Sequence, residues 1–280
     1  MFCPQCQRDI PPHLTVCPHC EFWLGFPNVR EASSPVECQE LGKRYQSARD
    51  DARRRNCEPV LDQFENAVRQ SQAAICRRWG AVVDIVERNN GLFQTFYQQL
   101  SAGTRLPQDN DFDRMRLEVD AKLFPYFGQL VHFSVLSLEN QAPTSYGECI
   151  LFLRETSIAH RTTVFEENTL VFCRKHAIRT GDRPPPGYRA VWTDRHRLAV
   201  AKLHGKIDIN TTPAAFAGIL MQSKGATDTD EFIEAHIYGK LDLTAVERLR
   251  TPKPNLKDDQ VLARRLRRKI EEKGAIVEII

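Results

Sequence analysis

The chain has 280 residues, with 39 Lys and Arg against 36 Asp and Glu, and 41% of it is hydrophobic. That is the make-up of a folded globular protein and excludes a disordered one. Its longest apolar runs, such as Ile150-Leu151-Phe152-Leu153, fall far short of the roughly 20 residues that a membrane helix needs, so no membrane partner is expected. No basic stretch leads into an apolar one at the N-terminus, and nine cysteines are an odd number for a disulfide framework. The expectation is a reduced, cytoplasmic protein.

Residues 1–24 carry the sharpest signal. Cys3-Pro-Gln-Cys6 and Cys17-Pro-His-Cys20 are two C-P-x-C knuckles with ten residues between them. Each knuckle aims two thiolates at one centre while backbone N–H groups bond the sulfurs, and two knuckles complete a tetrahedral four-sulfur set that suits Zn²⁺. Four protein ligands leave no open position, so a zinc ribbon of structural rather than catalytic purpose is predicted, with Cys3, Cys6, Cys17 and Cys20 as ligands. His13 and His19 stay outside a shell that is already full. Phe2, Phe22, Trp23, Leu24 and Phe26 beside the ribbon read as a docking surface for protein or for nucleic-acid bases. Cys38, Cys57, Cys76, Cys149 and Cys173 follow no spacing and read as small buried hydrophobes.

Residues 25–34 read as a linker. Residues 35–124 read as a helical middle segment: Leu61, Phe64 and Val68, then Ala74, Cys76, Trp79, Val82, Val83, Ile85 and Val86 recur at three- and four-residue steps. Asn89-Asn90-Gly91 looks like a helix stop, and a further helix is predicted over 111–123, closed by Pro125. After residue 125 the period changes. Strands are predicted over 129–138, 148–154, 170–173 and 232–238, and helices over 194–204 and 213–222 with Thr193 and Thr212 as caps. A last helix over 258–273 and a terminal strand over 275–280 complete an α+β chain: zinc ribbon, helical segment, and a mixed α/β domain over 125–280. The basic clusters Arg53-Arg54-Arg55 and 264–269 are interleaved with acids, as solvated helix faces are. The basic helix from Trp192 to Lys202 either faces a substrate or braces the sheet.

Two stretches of the C-terminal half, residues 146–170 (YGECILFLRETSIAHRTTVFEENTL) and 232–247 (FIEAHIYGKLDLTAVE), occur in that order about 70 residues apart. Together they resemble segments of ADP-ribosyltransferase-fold toxins and effectors. In those proteins a Tyr-Gly opens a strand, an Arg-x-Thr-Phe stretch leads to an Asp/Asn-Ser/Thr pair, and a closing strand carries a Glu two residues before a Gln or His. The resemblance implies a mono-ADP-ribosyltransferase, a glycosyltransferase that uses NAD to modify a macromolecular acceptor, protein or nucleic acid. It implies a bacterial toxin or phage-defence effector, with an inhibitor or antitoxin protein as a further partner. Glu234 would be the catalytic carboxylate and His236 its companion on the same strand face. Tyr146, Gly147, Arg161, Thr162, Thr163 and Asn168 would bind NAD, with Arg161 on the phosphates.

The chemistry agrees with that assignment. Breaking the nicotinamide–ribose bond passes through an oxocarbenium-like state, which a nearby carboxylate stabilises. The sequence also departs from the pattern. Phe232 stands two residues before Glu234, where some relatives carry a Glu or Gln that directs the acceptor, and His132 or Arg154 could fill the first NAD-gripping position. Read without the resemblance, Glu234 is a surface carboxylate on an edge strand and Arg161 pairs with Glu155 or Glu166. Two other functions stay open: a non-catalytic zinc-ribbon adaptor that binds nucleic acid or protein, and an NAD glycohydrolase in which water is the acceptor.

Overall fold

The computed structural model describes residues 1–88, 91–103, 111–179, 182–223, 230–253 and 257–280. The expected stop at Asn89-Asn90 lies outside them. After the ribbon come α1 (Pro27–Ala32), α2 (Pro35–Arg54), α3 (Glu58–Arg69), β1 (Gln72–Arg77), α4 (Trp79–Val83), α5 (Phe96–Ser101), α6 (Asp111–Leu123), β2 (Val131–Ser137) and β3 (Cys149–Leu153). They are followed by α7 (Glu155–Ile158), β4 (Thr162–Phe165), α8 (Thr169–Lys175), β5 (Arg189–Val191) and α9 (Arg195–Leu203). The last elements are α10 (Phe216–Leu220), β6 (Glu234–Tyr238), β7 (Val246–Thr251), α11 (Lys257–Glu271) and β8 (Ile276–Ile279).

The strands form one sheet in the order β5-β4-β6-β2-β1-β3-β7-β8, antiparallel throughout except for the β7–β8 pair. The middle segment is therefore not helical throughout, because it supplies β1, which lies between β2 and β3. The reason is burial on both faces. Ala73, Ala74, Ile75 and Cys76 are all buried, and a strand covered on both sides reads as a continuous apolar run that periodicity cannot tell from helix. A second correction runs the other way: residues 170–173, expected as strand, belong to helix α8. Asn168 caps that helix, its Oδ1 accepting from the N–H groups of Leu170 (3.0 Å) and Val171 (3.4 Å). The Thr caps are not formed. Thr193 sits within a 3-10 turn and Asp194 precedes α9, while Thr212 precedes Pro213 as expected but its side chain accepts nothing.

Strand alternation gives the sheet two unlike faces. On the back face Ala73, Ile75, Leu136, Leu151, Val164, Ala235 and Ile237 join the largest hydrophobic cluster, with Leu61 and Phe64 of α3 and Leu198 and Val200 of α9. Helix α9 is a brace. Arg195 is buried and donates to Trp192 O (3.0 Å), to Ser71 Oγ (3.3 Å) and to Arg69 O. His196 is also buried, and Arg197 lies over the Tyr45 ring of α2.

Two back-side imidazoles make stability sensitive to acid. Burial, followed by the nearby Arg77 and Arg161 charges, lowers His132 to about 4, and burial together with Arg69 lowers His196 to about 4. In the unfolded chain both protonate near 6.5. Below that pH the unfolded state binds protons the folded state refuses, so stability falls as pH drops from about 6.5 towards 4. His132, only 3% exposed, accounts for roughly 2–3 kcal/mol of the loss. Urea midpoints measured across that range should fall, and His132→Leu should flatten the slope.

Candidate functional site

The N-terminal module is built from two matching half-sites. In the first, Gln7 N–H bonds Cys3 O and Cys3 N–H bonds Arg8 O; in the second, Glu21 N–H bonds Cys17 O and Cys17 N–H bonds Phe22 O, all at 2.9 Å. Gln7 and Glu21, each directly after a knuckle, take the left-handed conformation that turns the chain back. The four Sγ atoms lie within 4.8 Å of one another, with Cys3–Cys20 and Cys6–Cys17 both at 3.7 Å. A tetrahedron with metal–sulfur bonds of about 2.3 Å has edges of about 3.8 Å, so the thiols are spaced to hold a metal ion. The His19 backbone N–H points to Cys17 Sγ at 3.4 Å, while its ring Nδ1 faces Arg8.

Helix α1 ties this module to the sheet. The Arg30 guanidinium donates to the carbonyls of Pro12 (2.5 Å) and Leu14 (2.9 Å) between the knuckles, and to Leu24 (2.9 Å) and Gly25 (2.6 Å) beyond them. Two residues earlier, Asn28 Nδ2 donates to Arg161 O (3.0 Å), just before β4, and to His236 O (3.1 Å) in the middle of β6. Residues 25–34 thus form an anchored helix and bend.

The front face of the sheet carries the second group. Glu234, 6% exposed, lies on β6, an inner strand, so it is neither at an edge nor in solvent. Its Oε2 accepts from Thr169 N–H (3.2 Å) at the start of α8 and lies 3.1 Å from His236 Nε2. Asn168, the α8 cap, donates to Tyr146 Oη at 3.2 Å. The Tyr146 hydroxyl is held well above its ordinary range by burial, then by the Glu234 and Asp230 charges, so it stays protonated. Tyr146, Asn168, Glu234 and His236 are therefore brought together. Phe124, Phe133 and Phe165 surround the His236 ring, with centroids 4.7, 5.3 and 5.9 Å away.

Of the other predicted residues, Thr163 alone shares the front face with them. Arg161 donates to the carbonyls of Tyr238 (2.8 Å), Lys240 (2.6 Å) and Ser157 (3.2 Å), where it ties strand ends together. Thr162 pairs with Ile237 on the back face and donates to Ile158 O; His132, also paired with Ile237, lies on that face too. Thr163 pairs with His236 on the front face. Gly147 has φ 146°, and a Cβ built there would meet the Arg77 carbonyl carbon at 2.2 Å and Arg78 N at 2.4 Å, both backbone atoms. Gly147→Ala should therefore cost on the order of 3 kcal/mol or prevent folding. A urea midpoint within about 0.5 kcal/mol of the parent would show that the close approach is not needed.

Two residues of α6 join the site without having been expected. Asp120 is 2% exposed; burial raises its carboxyl pKa, Tyr97 Oη donates to it at 2.9 Å, and Arg116 lies 3.6 Å away. Arg116 stacks over the Phe133 ring at 4.4 Å, and its charge acts on Tyr146 and Asp120. The signal was present in the sequence: Asp120 interrupts the apolar stripe of Val119, Leu123 and Phe124 four residues after an Arg. Lys202 of α9 was equally hidden. Its Nζ, lowered to about 8 by burial, donates to Glu166 O (2.6 Å) and Phe232 O (3.0 Å), fixing the segments that lead out of β4 and into β6. The cavity that His236 lines measures about 10 Å³, room for one water and not for a nucleotide.

A scan against protein-family models found no match, and a search of curated proteins found none either. Among the described residues no helix is long and apolar enough to cross a membrane.

Proposed function

We propose that this protein transfers ADP-ribose from NAD to a macromolecular acceptor, with Glu234 as the carboxylate that stabilises the ribosyl cation and Zn²⁺ as the metal of the four-cysteine centre. The supporting observation is convergence. The segments that carry the resemblance lie far apart in sequence, yet Tyr146, Asn168, Glu234 and His236 meet on one sheet face, linked by Asn168–Tyr146, Thr169–Glu234 and His236–Glu234 hydrogen bonds. A buried carboxylate beside the ribose is what an oxocarbenium-like transition state requires.

The roles differ from those the resemblance implied. Arg161, with its donors on carbonyls, holds the β4–β6 ends, and we assign the pyrophosphate to Arg116 instead. Gly147 and Thr162 shape the fold around the site. Phe124, packed on His236 at 4.7 Å, must move with the end of α6 before a dinucleotide can enter.

The test uses metal-loaded protein, adenylate-labelled NAD and a cell lysate. Label on protein or nucleic acid is the expected result. Free ADP-ribose without labelled acceptor assigns the same site to NAD hydrolysis. Intact NAD under all conditions rejects the enzymatic reading in favour of a binding protein.

A further inference from the structure

Between α1, the end of α6 and strands β4 and β6 lies the cavity of about 10 Å³, lined by Asn28, Glu31, Thr163, Arg189 and His236 on its polar side and by Leu123, Phe124 and Phe165 on the other. Asn28 is 3% exposed, and its Oδ1 is buried with no hydrogen-bond partner. The orientation of its amide is forced. Both Nδ2 hydrogens go to carbonyls, Arg161 O and His236 O, which can only accept, so Oδ1 is left as an acceptor that needs a donor. His236 has a matching need. Its Nε2 faces the Glu234 carboxylate at 3.1 Å, and a carboxylate accepts, so in the neutral ring Nε2 carries the hydrogen and Nδ1 is an acceptor. Thr163, opposite His236 in the β4–β6 register, brings a hydroxyl that can donate.

Arg189 is engaged by Glu31 at 2.8 Å and Glu37 at 2.9 Å, and the remaining two acceptors and one donor around a water-sized, polar-lined space are the complement of a single water. We propose that this cavity is a built water site: the water donates to Asn28 Oδ1 and His236 Nδ1 and accepts from Thr163 Oγ1. Asn28 is thereby a positioning residue. Through the water it holds the Nε2–H tautomer of His236, and through that tautomer the imidazole donates to Glu234. The amide that grips the β4 and β6 backbones also sets the ring beside the candidate carboxylate. The site concerns the resting protein and holds whether or not NAD is the substrate.

A crystal structure at about 1.5 Å and nitrogen-15 spectra of the histidine rings test it together. The expected result is one ordered water within about 3.2 Å of Asn28 Oδ1, Thr163 Oγ1 and His236 Nδ1, with His236 in the Nε2–H form. Thr163→Val keeps shape and removes one of the three partners, so the water should weaken or vanish and the His236 ring signals should move towards a mixed tautomer while the fold is retained. Asn28→Ser, which shortens the acceptor, should do the same. A dry cavity in the parent protein overturns the proposal, as does a His236 already in the Nδ1–H form or ring signals unmoved by both substitutions. A labelled-NAD result in either direction leaves this readout standing.

Discussion

Removing the metal proposed at the four-cysteine centre, by chelation or by Cys17→Ser, is expected to unfold residues 1–24 and leave the sheet standing. The module's own buried side chains besides the thiols are Ile10 and Leu24, with Leu14 partly covered. At about 1.5–3 kcal/mol each, these cannot offset the ordering of two dozen residues at roughly 1–2 kcal/mol apiece. The metal must therefore supply most of the module's folding free energy. The boundary of the melted region follows from the hydrogen bonds. Arg30 loses its acceptors at Pro12 and Leu14, whereas the Asn28 bonds to Arg161 O and His236 O keep α1 on the sheet. Metal analysis should give about one Zn per chain, and amide exchange should lose protection over residues 1–24 only. Protection that survives chelation in the ribbon would mean that the thiols pack without a metal.

What could be read from the sequence divides along physical lines. The knuckles were legible because metal geometry fixes residue type and spacing together. Helix α6 appeared over the residues foreseen, since an amphipathic helix on a sheet keeps its period, and β2, β3, β6 and β8 were bounded by turn residues. Strand β1 was missed because burial on both faces erases the alternation that marks a strand. The short strands β4 and β5, of four and three residues, carry too few positions to show a period. Helix α8 was misread because Leu170-Val171-Phe172-Cys173 is apolar and β-prone, and only its Asn168 cap signalled a helix. The site was half visible. Glu234 and His236 sit on one face, as alternation requires, but no local pattern shows that Arg161 ends on three carbonyls, or that Asp120, Arg116 and Asn28 arrive from distant elements. Those placements depend on the sheet order, which the chain's local periods do not contain.

Glu234→Gln is expected to lower NAD turnover by at least about 10²–10³-fold with little loss of stability. The two effects separate because the carboxylate has two kinds of neighbour. Thr169 N–H, at 3.2 Å, asks only for an oxygen, which the Gln carbonyl supplies, so the start of α8 keeps its partner. His236 Nε2, at 3.1 Å, can then face either the carbonyl or the amide by changing tautomer. What Gln cannot supply is negative charge at the ribosyl cation, and in a site shielded by Phe124, Phe133 and Phe165 that charge acts with little screening. Expression of the parent protein should arrest growth if the acceptor is essential, and Glu234→Gln should relieve the arrest. Phe124→Ala supplies the opposite control: it opens the end of α6 over His236, so NAD affinity should rise or stay level while Glu234 chemistry persists. A Glu234→Gln protein that turns over NAD at the parental rate would leave the carboxylate as no more than the partner of Thr169 and His236, and the transferase reading would go with it.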